Sequence, residues 1–196
     1  MAWTDTKSSA DLVKSDDWNK MVTYQKDYNY ITLFPVGCMV PTTNPAGIDQ
    51  AESGAATTNY VYGAFSLAGE NTEQLQWLVN LPADWTTGGN ITAKFYWTVD
   101  TGTGTHTVKW QLAGVMLPDN TALATAYATI GAIQDAIQTQ KYVHTTSATT
   151  GAIISGSASD LVAFQVKRVI VDSGTDTTSD ARLIAVQIKY SRTPAT

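Results

Sequence analysis

Two histidines, His106 and His144, one cysteine, Cys38, and a scatter of carboxylates are the side chains with which this sequence could do chemistry. Nucleophilic catalysis needs a nucleophile, a base to activate it and a third group to orient the base. His106 stands in a Thr/Gly-rich hairpin loop and His144 on the polar face or end of a weak strand. No serine lies in a Gly-x-Ser-x-Gly turn, and Ser155-Gly156-Ser157-Ala158-Ser159 is a flexible turn by composition. Cys38, within Phe34–Val40, lacks the basic neighbours that would make its thiol reactive, and reads as a small core residue. A closed zinc site needs more than two isolated histidines and one cysteine. The acidic stretch Asp172–Asp180 lacks EF-hand spacing and a terminal bidentate Glu, so it reads as a solvated hairpin loop. Asp84, beside Trp85, and Asp100 are the carboxylates to weigh as a glycosidase pair, though each also lies in a turn that favours Asp for local hydrogen bonds. P-loop and dinucleotide fingerprints are absent. The expectation is a chain that is not an enzyme, with no catalytic, cofactor or metal site.

Aromatic side chains offer a different chemistry, that of stacking and interface formation. Trp77, Trp97 and Trp110 fall on apolar faces and are expected in the core. Trp85 lies in the loop Leu81-Pro82-Ala83-Asp84-Trp85, where it either packs under the strand turn or stacks on a sugar. Tyr60, Tyr62 and Tyr96 occupy the wet faces of their strands. Three rings there form a candidate ligand-stacking or interface patch.

The elements that must position these residues have a period of two. In Ile91–Val99 every odd position is apolar, with Thr92, Lys94, Tyr96 and Thr98 between, which is strict inside/outside alternation. Leu75, Trp77, Val79 and Leu81 alternate similarly, as do Val61, Gly63, Phe65 and Leu67. Val108, Trp110 and Leu112 form a further face, followed by Ala113-Gly114, which suggests a bulge. Val162, Phe164 and Val166 form another, and Ile184, Val186, Ile188 and Tyr190 the last. Two weaker strands are read at 33–40, which Pro35 confines to an edge or a strand start, and at 138–145. Ile130, Ile133 and Ile137 have helical spacing and suggest one or two helical turns. Thr/Gly/Asn-rich turns separate the strands. The fold class is therefore all-β: an eight-stranded antiparallel jelly-roll sandwich over residues 31–196, preceded by a short N-terminal helix.

That helix is predicted over 16–28, within an N-terminal arm of residues 1–30. Ser15 caps it, Asp16 and Asp17 favour its positive end, and Trp18, Met21 and Val22 make an apolar stripe. So short a helix must dock, either on its own domain or as an anchor in a partner, with Trp3, Trp18, Met21 and Val22 as the anchoring candidates. The net charge of −5 and the scattered basic residues argue against nucleic acid. Only 15% of residues are charged, and hydroxyl side chains, threonine above all, supply the polarity. No run approaches the roughly 20 apolar residues of a membrane span, so no membrane partner is expected. The N-terminus has no secretory signal, and synthesis in the cytoplasm is expected.

The stretch Leu81-Pro82-Ala83-Asp84-Trp85-Thr86-Thr87-Gly88-Gly89-Asn90-Ile91-Thr92-Ala93-Lys94-Phe95-Tyr96-Trp97 resembles a pattern in small virion proteins of tailed phages and archaeal viruses. There a Pro-x-x-Trp turn leads into an Ile-x-x-x-Phe-x-Trp strand. A strand like Val108-Lys109-Trp110 and a final hairpin like Phe164–Arg168 to Leu183–Tyr190 follow, and Trp3–Thr6 with Asp17–Val22 looks like the leader of such proteins. The resemblance implies a non-enzymatic jelly-roll subunit, a capsid decoration, turret or head-fibre protein or a tail component. It would assemble as a homotrimer in the virion against the major capsid or another virion protein. The alternative is a carbohydrate- or receptor-binding module of a tail or surface fibre, with Trp85 and the tyrosines as stacking platforms.

Overall fold

A computed structural model of the chain describes residues 28–52, 59–102, 104–153, 157 and 160–192. The expected helix over 16–28 and the anchoring candidates Trp3, Trp18, Met21 and Val22 lie outside these residues, except that Tyr28 opens a strand. Among the described residues the strands are β1 (Tyr28–Leu33), β2 (Gly47–Glu52), β3 (Asn59–Phe65), β4 (Gln74–Asn80), β5 (Asn90–Val99) and β6 (His106–Leu117). They continue as β7 (Ala128–Ala136), β8 (His144–Thr145), β9 (Ala152–Ile153), β10 (Leu161–Val169), β11 (Thr175–Asp176) and β12 (Ala181–Ser191). One sheet runs β2-β3-β12-β5, with β1 also paired to β12 and β8 and β9 to β5. The other runs β4-β10-β6, with β7 and β11 paired to β6. The described residues form an all-β sandwich with a jelly-roll-like layout of two sheets.

Alternation dictates what fills the space between them. Ile91, Phe95, Trp97 and Val99 of β5 are wholly buried, as are Val108, Trp110 and Leu112 of β6 and Val162, Phe164 and Val166 of β10. Trp110 is the hub of this core. Its ring stacks on Phe95 at 5.9 Å and meets the edges of Phe65 at 5.2 Å and Trp97 at 6.4 Å. The indole of Trp97 donates to Asp135 at 2.9 Å, which joins β5 to β7 of the opposite sheet.

Three sequence expectations need correction. Residues 33–40 do not continue as a strand: β1 ends at Leu33, and Pro35, which has no N–H to give a ladder, starts a 3-10 turn over Pro35–Gly37. Leu33 is buried and Phe34 exposed, the reverse of the expected faces. Ile130, Ile133 and Ile137 belong to an extended segment, not a helix. The β6–β7 register shifts at Leu112/Ala113, so that Gly131 faces Leu112 while Thr129 faces Ala113. That bulge resets the alternation, and Ile130 and Ile133 both reach the core. Over 138–145 only His144–Thr145 pairs, because Lys141 adopts a left-handed turn conformation with φ 64°. Among the described residues β1, β2, β7, β9 and β11 lie outside the eight strands expected.

The free edge of β5 is closed by side chains. Ala93 and Phe95 donate their N–H groups to Thr149 Oγ1 at 3.0 Å and Thr146 Oγ1 at 3.1 Å. Thr146 and Thr149 return backbone bonds to the carbonyls of Phe95 and Ala93. Residues 146–149 therefore rim the outer face of this sheet, and they protect an edge that could otherwise pair with another chain.

Candidate functional site

The outer face of the β1–β12–β5 sheet carries the side chains that alternation turns away from the core. Strand register sets them in rows across three strands. Tyr30, Lys189 and Thr92 form one row, and Thr32, Gln187 and Lys94 the next. Ala185 and Tyr96 form a third, with Phe34 beyond the end of β1. Rows on one face recur every two residues, about 6.6 Å along a strand.

Two adjoining depressions follow these rows and share Gln187. One, of about 280 Å3, is lined by Tyr30, Thr92, Lys94, Ala148, Gln187 and Lys189. The other, of about 320 Å3, lies among Thr32, Phe34, Tyr96, Val143, Ile184 and Ala185. A β-bulge between Leu183 and Ala185 on β12 brings Ile184 to this outer face, and the small Ala185 side chain leaves the dip beside Tyr96. Together they make a shallow groove with aromatic rings at both ends and amide, hydroxyl and ammonium groups between. Among the described residues no carboxylate lines it.

The expected stacking residues divide. Tyr96 sits in the groove. Tyr60 and Tyr62 pair with each other at 5.7 Å, but Tyr62 is buried, with the Arg182 guanidinium 4.5 Å over its ring and its hydroxyl donating to Asp49 at 3.2 Å. Burial pushes that hydroxyl's pKa above the usual phenol value. Tyr62 and Tyr96 share a face but lie on either side of β12, about 9–10 Å apart across two strand spacings. Trp85 packs inward at 3% exposure, its ring 5.7 Å from Tyr190, and presents no platform to solvent. Tyr30, Phe34, Lys94, Gln187 and Lys189 were not picked out from the sequence. Their signal was present for β5, where even positions face water, but nothing in the sequence says that β5, β12 and β1 are neighbours.

The candidates for catalysis disperse. Asp84 accepts from the Tyr190 hydroxyl at 3.2 Å and lies 3.7 Å from Arg192, at one end of β12. Asp100 accepts from Arg182 at 2.7 Å, at the other end. The run between those ends is about 26 Å at ~3.3 Å per residue, far beyond the ~9.5 Å limit for an inverting pair. His144 is buried against Trp97, ring centroids 4.7 Å apart, with Nε2 3.1 Å from the Thr139 carbonyl. In the acidic loop, Asp172 is bound by Lys109 at 2.5 Å and Asp176 by Arg168 at 2.6 Å, so both carboxylates already face protein cations. Cys38 packs against the core, and burial raises its thiol pKa. Among the described residues, no group of three or more His, Cys, Asp or Glu is placed to hold a metal ion.

No family model matches the chain, and no curated protein matches it. Solved structures of similar layout include the CBM22-1 xylan-binding domain of Paenibacillus barcinonensis Xyn10C, at 13% identity and a TM-score of 0.46 over 87% of this chain and 99% of that one. A family 35 carbohydrate-binding module from Clostridium thermocellum is 10% identical, with a TM-score of 0.41 over 82% and 97%. Eiger TNF from S. frugiperda is 11% identical, with a TM-score of 0.35 over 87% and 96%.

Proposed function

We propose that the chain is a non-catalytic binding module whose ligand, an extended hydroxyl-rich chain such as a polysaccharide, lies along the outer-face groove. The observation that carries this reading is the groove itself: two depressions in line, with Tyr30 at one end and Phe34 and Tyr96 at the other. The C–H faces of a sugar ring are apolar and cover an aromatic ring, while its hydroxyls exchange hydrogen bonds with Gln187, Thr92 and lysine ammonium groups. A site for a small molecule encloses most of its ligand. This groove is open along its length, which suits a chain that passes through. Among the described residues no carboxylate lines the groove as half of the acid/base pair that glycosidic cleavage needs.

Glycan-array and affinity-electrophoresis binding of the wild type and Tyr96→Ala tests this reading. Binding weakened about tenfold or more in the variant is expected, since one stacked ring contributes on the order of 1–2 kcal/mol. Unchanged binding in a folded variant refutes it.

The exposed apolar residues Val36, Met39 and Val40, beyond the groove, favour a second reading, compatible with the first. In it the module is displayed on a virion as a homotrimer joined through that surface. Light scattering should then give about three times 21.1 kDa, and a monomer at all concentrations ends it.

A further inference from the structure

We infer that the groove takes a single unbranched stretch of about three sugars, laid parallel to the strands; this deepens the binding reading above and rests on it. Three rows of outward side chains make the groove: Tyr30 with Lys189 and Thr92, Thr32 with Gln187 and Lys94, and Ala185 with Tyr96. The rows follow one another along the strands, and the two depressions meet at Gln187 in the middle row. Each step between rows is about 6.6 Å, so the outer rows stand about 13 Å apart. A pyranose unit advances an extended chain by a little less than one such step, and the rows therefore seat about three units. Tyr30 and Phe34 are exposed at opposite ends and can each cover the apolar face of an outer unit. The Gln187 amide, which both donates and accepts, faces the middle unit. Beyond Tyr96 the next row pairs Arg182 with Thr98. Its side chains are already engaged: the Arg182 guanidinium lies 4.5 Å over the Tyr62 ring and donates to Asp100, and Thr98 is buried. A longer chain runs on over that row without adding contacts.

Width sets the second limit. The floor is β12, and from β1 to β5 across it is two strand spacings, about 9–10 Å. Tyr30 and Phe34 stand on the β1 side. Val143 and Ala148 stand on the other, in the segment that pairs with β5 and closes its edge. One chain fits that width. A sugar lying flat on the floor turns its substituents toward the two sides, so a branch on the middle unit meets them. The face of a stack of chains is too broad to enter. Ala185, the smallest side chain of the floor, leaves the depth that the third unit occupies.

Calorimetric titration of the full chain with xylo-, cello- and manno-oligosaccharides, from disaccharide to hexasaccharide, tests this, with thermal melts to confirm folding. In the series that binds, affinity should rise about tenfold or more from disaccharide to trisaccharide, and then by no more than about fivefold to the hexasaccharide, the gain that added registers allow. A trisaccharide with a side sugar on its middle unit should bind about tenfold more weakly than the linear one. Ala185→Leu fills the second depression and should bring trisaccharide affinity down to the disaccharide level. Tyr96→Ala probes the same end without added bulk and should weaken the trisaccharide more than the disaccharide. Affinity already complete at the disaccharide, affinity that climbs steeply past the trisaccharide, or equal binding of the branched ligand overturns this inference. If Tyr96→Ala still weakens binding in that case, the groove reading survives. If Tyr96→Ala binds every ligand as the wild type does, or if no series binds, both fail.

Discussion

Replacement of Arg168 by methionine should destabilise this fold more than any change at its surface. The Arg168 side chain is wholly buried, although its sequence context, Lys167-Arg168 in an alternating strand, reads as solvated charge. Its Nη1 donates to the Phe65 and Ser179 carbonyls at 3.1 Å each, and its Nη2 to Asp176 at 2.6 Å and the Thr177 carbonyl at 2.5 Å. Glu70 lies 3.9 Å from Nε. One guanidinium thus ties β3, β10, β11 and two loops together. Methionine fills similar space and leaves three carbonyls and the Asp176 carboxylate without their donor, and Glu70 without its nearby cation. Removing one partner of a buried ion pair costs about 3–5 kcal/mol, a large share of a typical ~5–15 kcal/mol total. At ~2–4 °C per kcal/mol for a domain of this size, Tm should fall by about 6–20 °C. Urea unfolding followed by tryptophan fluorescence reads this through Trp110. A loss below about 1 kcal/mol would refute the assignment of Arg168 as a buried pin.

The same cluster has a proton-linked signature. Burial, then a hydrogen bond and charge repulsion from Asp176, push the Glu70 carboxyl up to about 7 from an ordinary 4.5. Glu70 Oε1 and Asp176 Oδ2 are both buried without a donor, and a proton held between the carboxyls supplies one. The folded state therefore binds this proton more tightly than the unfolded chain. Its stabilising effect is complete below about pH 4.5 and lost as pH rises through about 7. Urea midpoints should fall between pH 5 and 8, and Glu70→Gln, which mimics the protonated carboxyl, should flatten that slope. A wild-type midpoint that rises over this range contradicts the arrangement.

Two substitutions separate core from groove. Trp85→Ala should cost about 3–5 kcal/mol in urea unfolding through loss of a buried ring, while ligand binding by the folded fraction stays unchanged. Gly131→Ala would set a Cβ 2.6 Å from the Thr150 carbonyl and 2.9 Å from Thr149 Cβ, where backbone must shift, and should cost about 1–3 kcal/mol by the same measurement.

Much of the sandwich is legible in the sequence because burial on one face imposes a strict period of two. Ile91–Val99 shows it without interruption, and all five odd positions are buried. Legibility fails where the ladder is irregular. At Leu183/Ala185 a bulge turns Ile184 outward, although Ile184, Val186, Ile188 and Tyr190 read as one face. On β7 another bulge imitates helical spacing. Neither leaves a mark in local composition. The groove was half legible. Tyr96 and Lys94 lie on a face the pattern assigns to water, but Tyr30 and Gln187 join them only through pairings between β1, β12 and β5. Those pairings join residues 153–163 apart in sequence for β1–β12 and 82–99 apart for β12–β5. Trp85, which the sequence leaves between packing and stacking, packs: a tryptophan in a loop need not be exposed when a hairpin end such as Tyr190 lies on it.

The most direct test of the central claim is a backbone-amide NMR titration with oligosaccharide fragments. Perturbations should concentrate on Tyr30, Thr92, Lys94, Tyr96, Gln187 and Lys189 and leave β4, β6 and β10 unmoved. Shifts confined to that opposite sheet, or to the Tyr60–Tyr62 pair, would contradict the account.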